Sequence, residues 1–155
     1  MLEERIENII NESLNGDAQK NALDFAEFLN ENEMIYTGVH CEMHYKGEVA
    51  CFILVDVSSK WHSPWSVWTA GADGYIEEYE GFPIDERTKE IAWENISHCC
   101  NRGCCDTPHK SKVIFGKKFE SVCNAVMMFR NPAGETLECL KKLVLMQKHS
   151  IDIKF

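Results

Sequence analysis

Apolar residues recur at helical spacing at the start of the chain. Leu2, Ile6, Ile9, Ile10 and Leu14 fall three and four apart, which predicts an amphipathic helix over residues 2–14. Asn15-Gly16 ends it, and Asp17 is placed to cap the next helix through its carboxylate. Ala22, Phe25, Ala26 and Leu29 form a second stripe and predict a helix over 17–31. Both helices carry acidic outer faces, the usual composition of a solvated surface. From Met34 the period drops to two. Residues 35–45 are predicted as a strand, Lys46-Gly47 as a tight turn, and 48–57 as the antiparallel partner. Val49 to Val55 is apolar at every position, which predicts a central strand covered on both faces.

Further strands are predicted at 65–69 and 75–79, with a Gly-rich turn between them. Asp85 is placed to cap a helix over 86–96, whose inner side carries Ile84, Thr88, Ile91, Ala92 and Ile96. A Cys-rich loop follows at 97–111. Strands are then expected at 113–115 and 121–130, the second with Cys123, Ala125, Met127 and Phe129 on one face. Asn131-Pro132 signals a helix start, Asn as cap and Pro at the first helical position, for a helix over 133–148. Ile151, Ile153 and Phe155 alternate and predict a closing edge strand. The order gives an α+β fold, a single domain over 1–155, with a mainly antiparallel sheet and helices packed on one face. A helical pair at 2–31 precedes the sheet and helices of 34–155.

Length and composition agree with this outline. The chain has 155 residues, 45% apolar and 26% charged, enough for a core without disulfide staples. The longest unbroken apolar run is seven residues, far short of the ~20 of a transmembrane helix. The first residues lack the basic and apolar regions of a secretory signal, so a cytoplasmic protein without a membrane partner is expected. Net charge is −9, which disfavours nucleic acid as a partner. The charge is uneven: residues 1–33 hold 9 acids and 2 bases, 34–95 hold 11 and 4, and 96–155 hold 5 and 10. Pairing of these regions within the fold is the simplest use of that asymmetry.

Cysteine placement changes the picture most. Cys99, Cys100, Cys104 and Cys105, four of the eight cysteines, lie within seven residues. Gly103 lets the chain reverse between the two pairs. Zinc takes four tetrahedral ligands from thiolate and neutral imidazole. The loop offers four thiols, with His98 and His109 at its ends and Cys123 as a further donor. Spacings of three and four between the pairs permit such a site without being diagnostic of it. Arg102, Lys110, Lys112, Lys117 and Lys118 are near in sequence and would favour thiolate over thiol. Cys51 and Cys139 read as core or boundary residues.

Two other groups are candidates. His40, Glu42 and His44 alternate and would share one strand face, where a solvated surface is the simpler reading. Trp65, Trp68, Trp93 and Tyr75 could line a pocket for a flat or cationic small molecule, or belong to the core. No phosphate-binding glycine loop, nucleophile elbow or His-Glu-x-x-His metal motif is present.

The run Lys112-Val-Ile-Phe-Gly-Lys-Lys-Phe-Glu-Ser-Val-Cys123, with Phe129-Arg-Asn-Pro132 beyond it, resembles a group of small bacterial proteins of unknown function. These share a Cys-rich loop followed by Phe-Gly-Lys-x-Phe and Val-Cys. The resemblance covers about residues 91–148; the cysteine pairs here are adjacent where the group more often has Cys-x-x-Cys. The overall pattern is also similar to gyrase-inhibitor-like domains, which implies non-enzymatic small-molecule binding on an antiparallel sheet with helices. The sequence therefore favours a non-catalytic, small-molecule- or effector-binding protein with a structural zinc in the Cys-rich loop. The alternatives are a thiol-based redox or soft-metal sensor using the same cysteines, and an enzyme with Cys123 as nucleophile.

Overall fold

A computed structural model describes residues 5–37, 41–55, 63–69, 84–98 and 110–154, with the backbone alone at 110, 112, 123–125 and 154. Its elements are α1 (Ile6–Ser13), α2 (Gly16–Glu31), β1 (Ile35–Tyr36), β2 (Glu42–Tyr45), β3 (Glu48–Val55), β4 (Trp65–Thr69), α3 (Glu86–Glu94), β5 (Ile96–His98), β6 (Lys110–Ile114), β7 (Lys117–Arg130) and α4 (Gly134–Lys154). All strand pairings are antiparallel. The order across the sheet is β1-β2-β3-β4-β7-β5, with β6 also paired to β7. The fold is α+β with the helices on one face, as the sequence pattern predicts.

The helical stripes build the core. Ile6, Ile10, Ala22, Phe25, Ala26 and Leu29 are buried. They meet strand residues of matching parity, such as Ile53, Val67 and Phe129, which are in register across β3, β4 and β7. The second face of β3 is only half-buried at Phe52 and Leu54, so coverage of this strand is unequal. Asn15, rather than Asp17, occupies the N-cap of α2, and Asp17 lies in its first turn. There its carboxylate still faces the positive end of the helix dipole.

The long strand predicted over 35–45 is broken. β1 and β2 pair with each other, Ile35 opposite His44 and Tyr36 opposite Met43, so the chain doubles back between them. Lys46 and Gly47 both have positive φ, the conformation of a hairpin turn whose twist matches its strands. Phe115-Gly116 repeats this geometry between β6 and β7. That turn lengthens β7 beyond the predicted 121–130, because Lys117 to Phe119 pair with β6. Positive φ at Ser121 and Val126 interrupts β7. Val126 and Met127 are consecutive yet both fully buried. Strict alternation therefore does not run through this bulge, and the side chains of Cys123 and Ala125 lie outside the described residues.

The C-terminal end is helical, not an edge strand. Leu137, Leu140, Val144, Gln147 and Ile151 form one buried stripe through α4. Ile151 is buried and Ile153 exposed; two residues apart, they would share a face in a strand and fall on opposite sides of a helix. Tyr45 Oη and Lys46 Nζ both donate to Asp152, each at 2.7 Å, and join the last turn to the β2–β3 hairpin. α4 starts at Gly134, and Asn131 does not cap it: its amide oxygen accepts from Trp65 Nε1 at 3.1 Å.

Asp85 does cap α3. Its carboxylate accepts from the Thr88 backbone N–H at 3.3 Å and the Thr88 hydroxyl at 2.7 Å, and Lys142 lies 3.2 Å away. The Thr88 hydroxyl, then Lys142, hold the Asp85 pKa down at about 2. A depressed folded value means that this cap is fully present above the unfolded carboxylate value near ~3.9. Its contribution is lost as pH falls toward about 2. Thr88→Val is expected to move the Asp85 titration midpoint up toward the ordinary range, followed by carboxyl carbon NMR. An unchanged midpoint would refute the hydroxyl as its main cause.

Candidate functional site

The Cys-rich segment has defined ends. β5 finishes at His98 and β6 begins at Lys110, and both residues pair with Val122 of β7. Two antiparallel partners of one residue flank it on its two sides. The segment's ends therefore stand two strand spacings apart, about 10 Å. Eleven residues, 99–109, join them; fully extended they would reach more than ~30 Å. Cys123 is the residue after Val122, so its backbone position is at the base of the segment. Cys99, Cys100, Cys104, Cys105 and His109 lie outside the described residues, as do His40 and Tyr75.

His98 belongs to β5 and not to the predicted loop, and Ile96 opens that strand rather than ending α3. The turn between them is fixed by Asn95. Its side-chain amide donates to the Ile91 carbonyl at 2.8 Å, and its own carbonyl accepts from Met128 N at 3.0 Å. His98 Nδ1 lies 3.2 Å from the Glu120 carbonyl oxygen. A carbonyl only accepts, so Nδ1 carries the proton, and in the neutral tautomer with this contact Nε2 is the nitrogen with the lone pair. This is the arrangement in which metal-binding imidazoles are oriented by a backbone carbonyl. Among the described residues no three His, Cys, Asp or Glu side chains gather into a metal-sized group.

The basic residues are less concentrated than in sequence. Lys117 and Lys118 sit at the β6–β7 turn, five and four residues along β7 from Val122, or roughly 13–16 Å at strand rise. Lys117 lies over the rings of Trp93 and Phe119, at 5.3 and 5.6 Å from their centroids. Lys118 pairs with Glu120 at 3.4 Å. These two cations therefore do not act on the mouth of the segment.

The described cysteines outside β7 are protected thiols. Cys51 is fully buried, and burial pushes its pKa up to about 12. Burial also raises Cys41, which is half-buried beside β2. Cys139 is buried with its sulfur 3.6 Å from the Thr88 hydroxyl oxygen. That hydroxyl has one proton, and the 2.7 Å contact to Asp85 claims it. The Cys139 thiol is then the donor to Thr88. Burial thus disfavours the thiolate at Cys51 and Cys41.

The tryptophans do not converge. Trp65 is fully buried beneath Phe25, with ring centroids 6.1 Å apart. Its position is in the core rather than on a pocket wall. Trp68, three residues along the same strand, faces the opposite side of the sheet. Trp93 packs by the β6–β7 hairpin and donates from Nε1 to the Ile114 carbonyl at 2.8 Å. His44 and Glu42 stay together on the outer face of β2, 2.8 Å apart.

Sequence reading missed a cleft of about 350 Å³ at the β5–β7 edge. Glu94, Asn95, Ser97, His98, Met128 and Arg130 line it. Met128 is the register partner of Trp68, so Trp68 adjoins this cleft on the same face of the sheet. Glu94 and Arg130 are 36 residues apart in the chain, and no local spacing signals their approach. No protein-family model matches the chain, and no curated protein and no solved structure matches it.

Proposed function

We propose that this is a non-catalytic binding protein that holds a structural zinc in its Cys-rich segment and takes a small molecule as ligand. The observation that carries the metal half is the double pairing of Val122. It brings both ends of the segment, and the position of Cys123, to one place on the sheet. Cys99, Cys100, Cys104 and Cys105 are the proposed ligands. His98 Nε2 is available at the segment's entry, and His109 and Cys123 are the remaining donors. Thiolate and imidazole donors suit zinc and disfavour hard cations. A reducing, cytoplasmic setting fits thiols reserved for metal. Among the described residues no helix is long and apolar enough to cross a membrane.

Native mass spectrometry of the full chain, purified without oxygen or chelator, tests the metal half. One zinc per chain is the expected result. A metal-free mass with rapidly alkylated segment thiols would overturn it and make the same cysteines redox or sensing groups.

A further inference from the structure

The geometry points to the β5–β7 cleft as a binding site for a free α-amino acid, or a zwitterion of the same shape. In it, Arg130 receives the carboxylate and Glu94 the ammonium. This names the ligand class of the small-molecule reading above and rests on that reading, but not on the metal.

Two opposite charges face one cavity without neutralising each other. Arg130 and Glu94 line the same cleft, yet neither has an ion pair with any described residue. Arg87 and Lys141, by contrast, are each engaged by two carboxylates. Arg87 holds Glu90 at 3.0 Å and Glu135 at 2.8 Å. Lys141 holds Asp24 at 2.7 Å and Glu138 at 3.2 Å. A guanidinium presents paired N–H donors that match a carboxylate in two bonds. A carboxylate opposite it accepts from an ammonium. A plain anion entering the cleft meets Glu94, and a plain cation meets Arg130, so the pair selects a ligand carrying both charges.

The walls are built to hold such a ligand in place. Arg130 ends β7 in register with Ser66 of β4, and Glu94 ends α3. Asn95 ties these two walls together through the Met128 backbone bond and its own side-chain bond to Ile91. Charges carried on regular elements keep their separation better than charges on loops. The remaining lining mixes the amide of Asn95, the hydroxyl of Ser97 and the imidazole of His98 with the Ile96 and Met128 side chains, room for a polar or mixed side chain. A volume near 350 Å³ lies within the range of small-ligand sites.

The test is isothermal titration of the full-length protein with each of the twenty standard amino acids at low ionic strength, where charge pairs are least screened. At least one is expected to bind one to one. Its analogue lacking the ammonium, and its analogue lacking the carboxylate, should each bind about tenfold more weakly or worse. Arg130→Gln and Glu94→Gln should produce the same losses with unchanged melting, since both side chains are exposed. Binding that ignores both substitutions would overturn this site while leaving a small-molecule-binding protein. If no amino acid binds but a neutral or singly charged metabolite does, the zwitterion is wrong and the wider reading stands. If neither kind of compound binds, both fall.

Discussion

Trp65→Ala is expected to lower the melting temperature by about 10–15 °C. The indole is fully buried against Phe25 of α2. Truncating a buried Trp typically costs about 3–5 kcal/mol through lost burial and the cavity left behind. In a chain of this size each kcal/mol moves the midpoint by about 2–4 °C. Position adds to the cost. The Asn131 backbone N–H donates to the Trp65 carbonyl at 2.8 Å, and Trp65 Nε1 donates to the Asn131 side chain at 3.1 Å. The start of β4 is thereby fixed to the end of β7, just before α4. Asn131 has φ +45, a conformation Asn tolerates better than most residues. Trp65→Phe keeps most of the apolar area and loses the Nε1 bond, so about 1–2 kcal/mol is expected. Thermal unfolding followed by circular dichroism measures both. A drop under about 3 °C for Trp65→Ala would contradict a core role and restore Trp65 as a pocket residue.

That Trp65 and Trp68 cannot share a pocket could be read from the predicted strand, although their closeness in sequence grouped them as lining of one pocket. Residues three apart on a strand point to opposite faces, and 65–69 is predicted as a strand. The helical stripes of α1 and α2, the Asp85 cap and the Lys46-Gly47 turn were legible for the same reason: each is set within a few residues. The errors fall where distant contacts decide. Residues 35–45 alternate like one strand, but β1 pairs with β2 rather than continuing into it. Ile151 and Ile153 fit a strand until Tyr45 and Lys46, more than a hundred residues earlier, take Asp152. β5 is three residues long, too short for any periodicity. The shared pairing of His98 and Lys110 with Val122 is a property of the sheet, so the sequence could nominate the cysteines but not place their segment's ends. The cleft between Glu94 and Arg130 was invisible for the same reason.

If the segment holds the proposed zinc, removing it is expected to lower the melting temperature by about 10 °C, and Cys104→Ser should reproduce most of that loss. A ligand bound only by the folded state stabilises it by about 4 kcal/mol when present at a thousandfold its dissociation constant. At about 2–4 °C per kcal/mol this gives the expected shift. The loss should be local before it is global. β5 and β6 reach the rest of the sheet through β7, and the segment joining them would lose its crosslink. Backbone amide exchange should therefore quicken first at residues 96–98 and 110–114, while the buried helical pair α1–α2 keeps its protection. Cys41→Ser is the control: Cys41 adjoins β2, across β3 and β4 from β7, and its carbonyl, which accepts from Ile53 N at 2.9 Å, survives the change. That variant should keep its metal and show the same chelator-induced drop as the wild type. Melting curves of the wild type and Cys104→Ser with and without chelator, beside metal analysis, decide the matter. A chelator that leaves melting and exchange untouched would remove zinc as a structural element. A Cys104→Ser protein that still holds one zinc at full stability would remove Cys104 from its ligands.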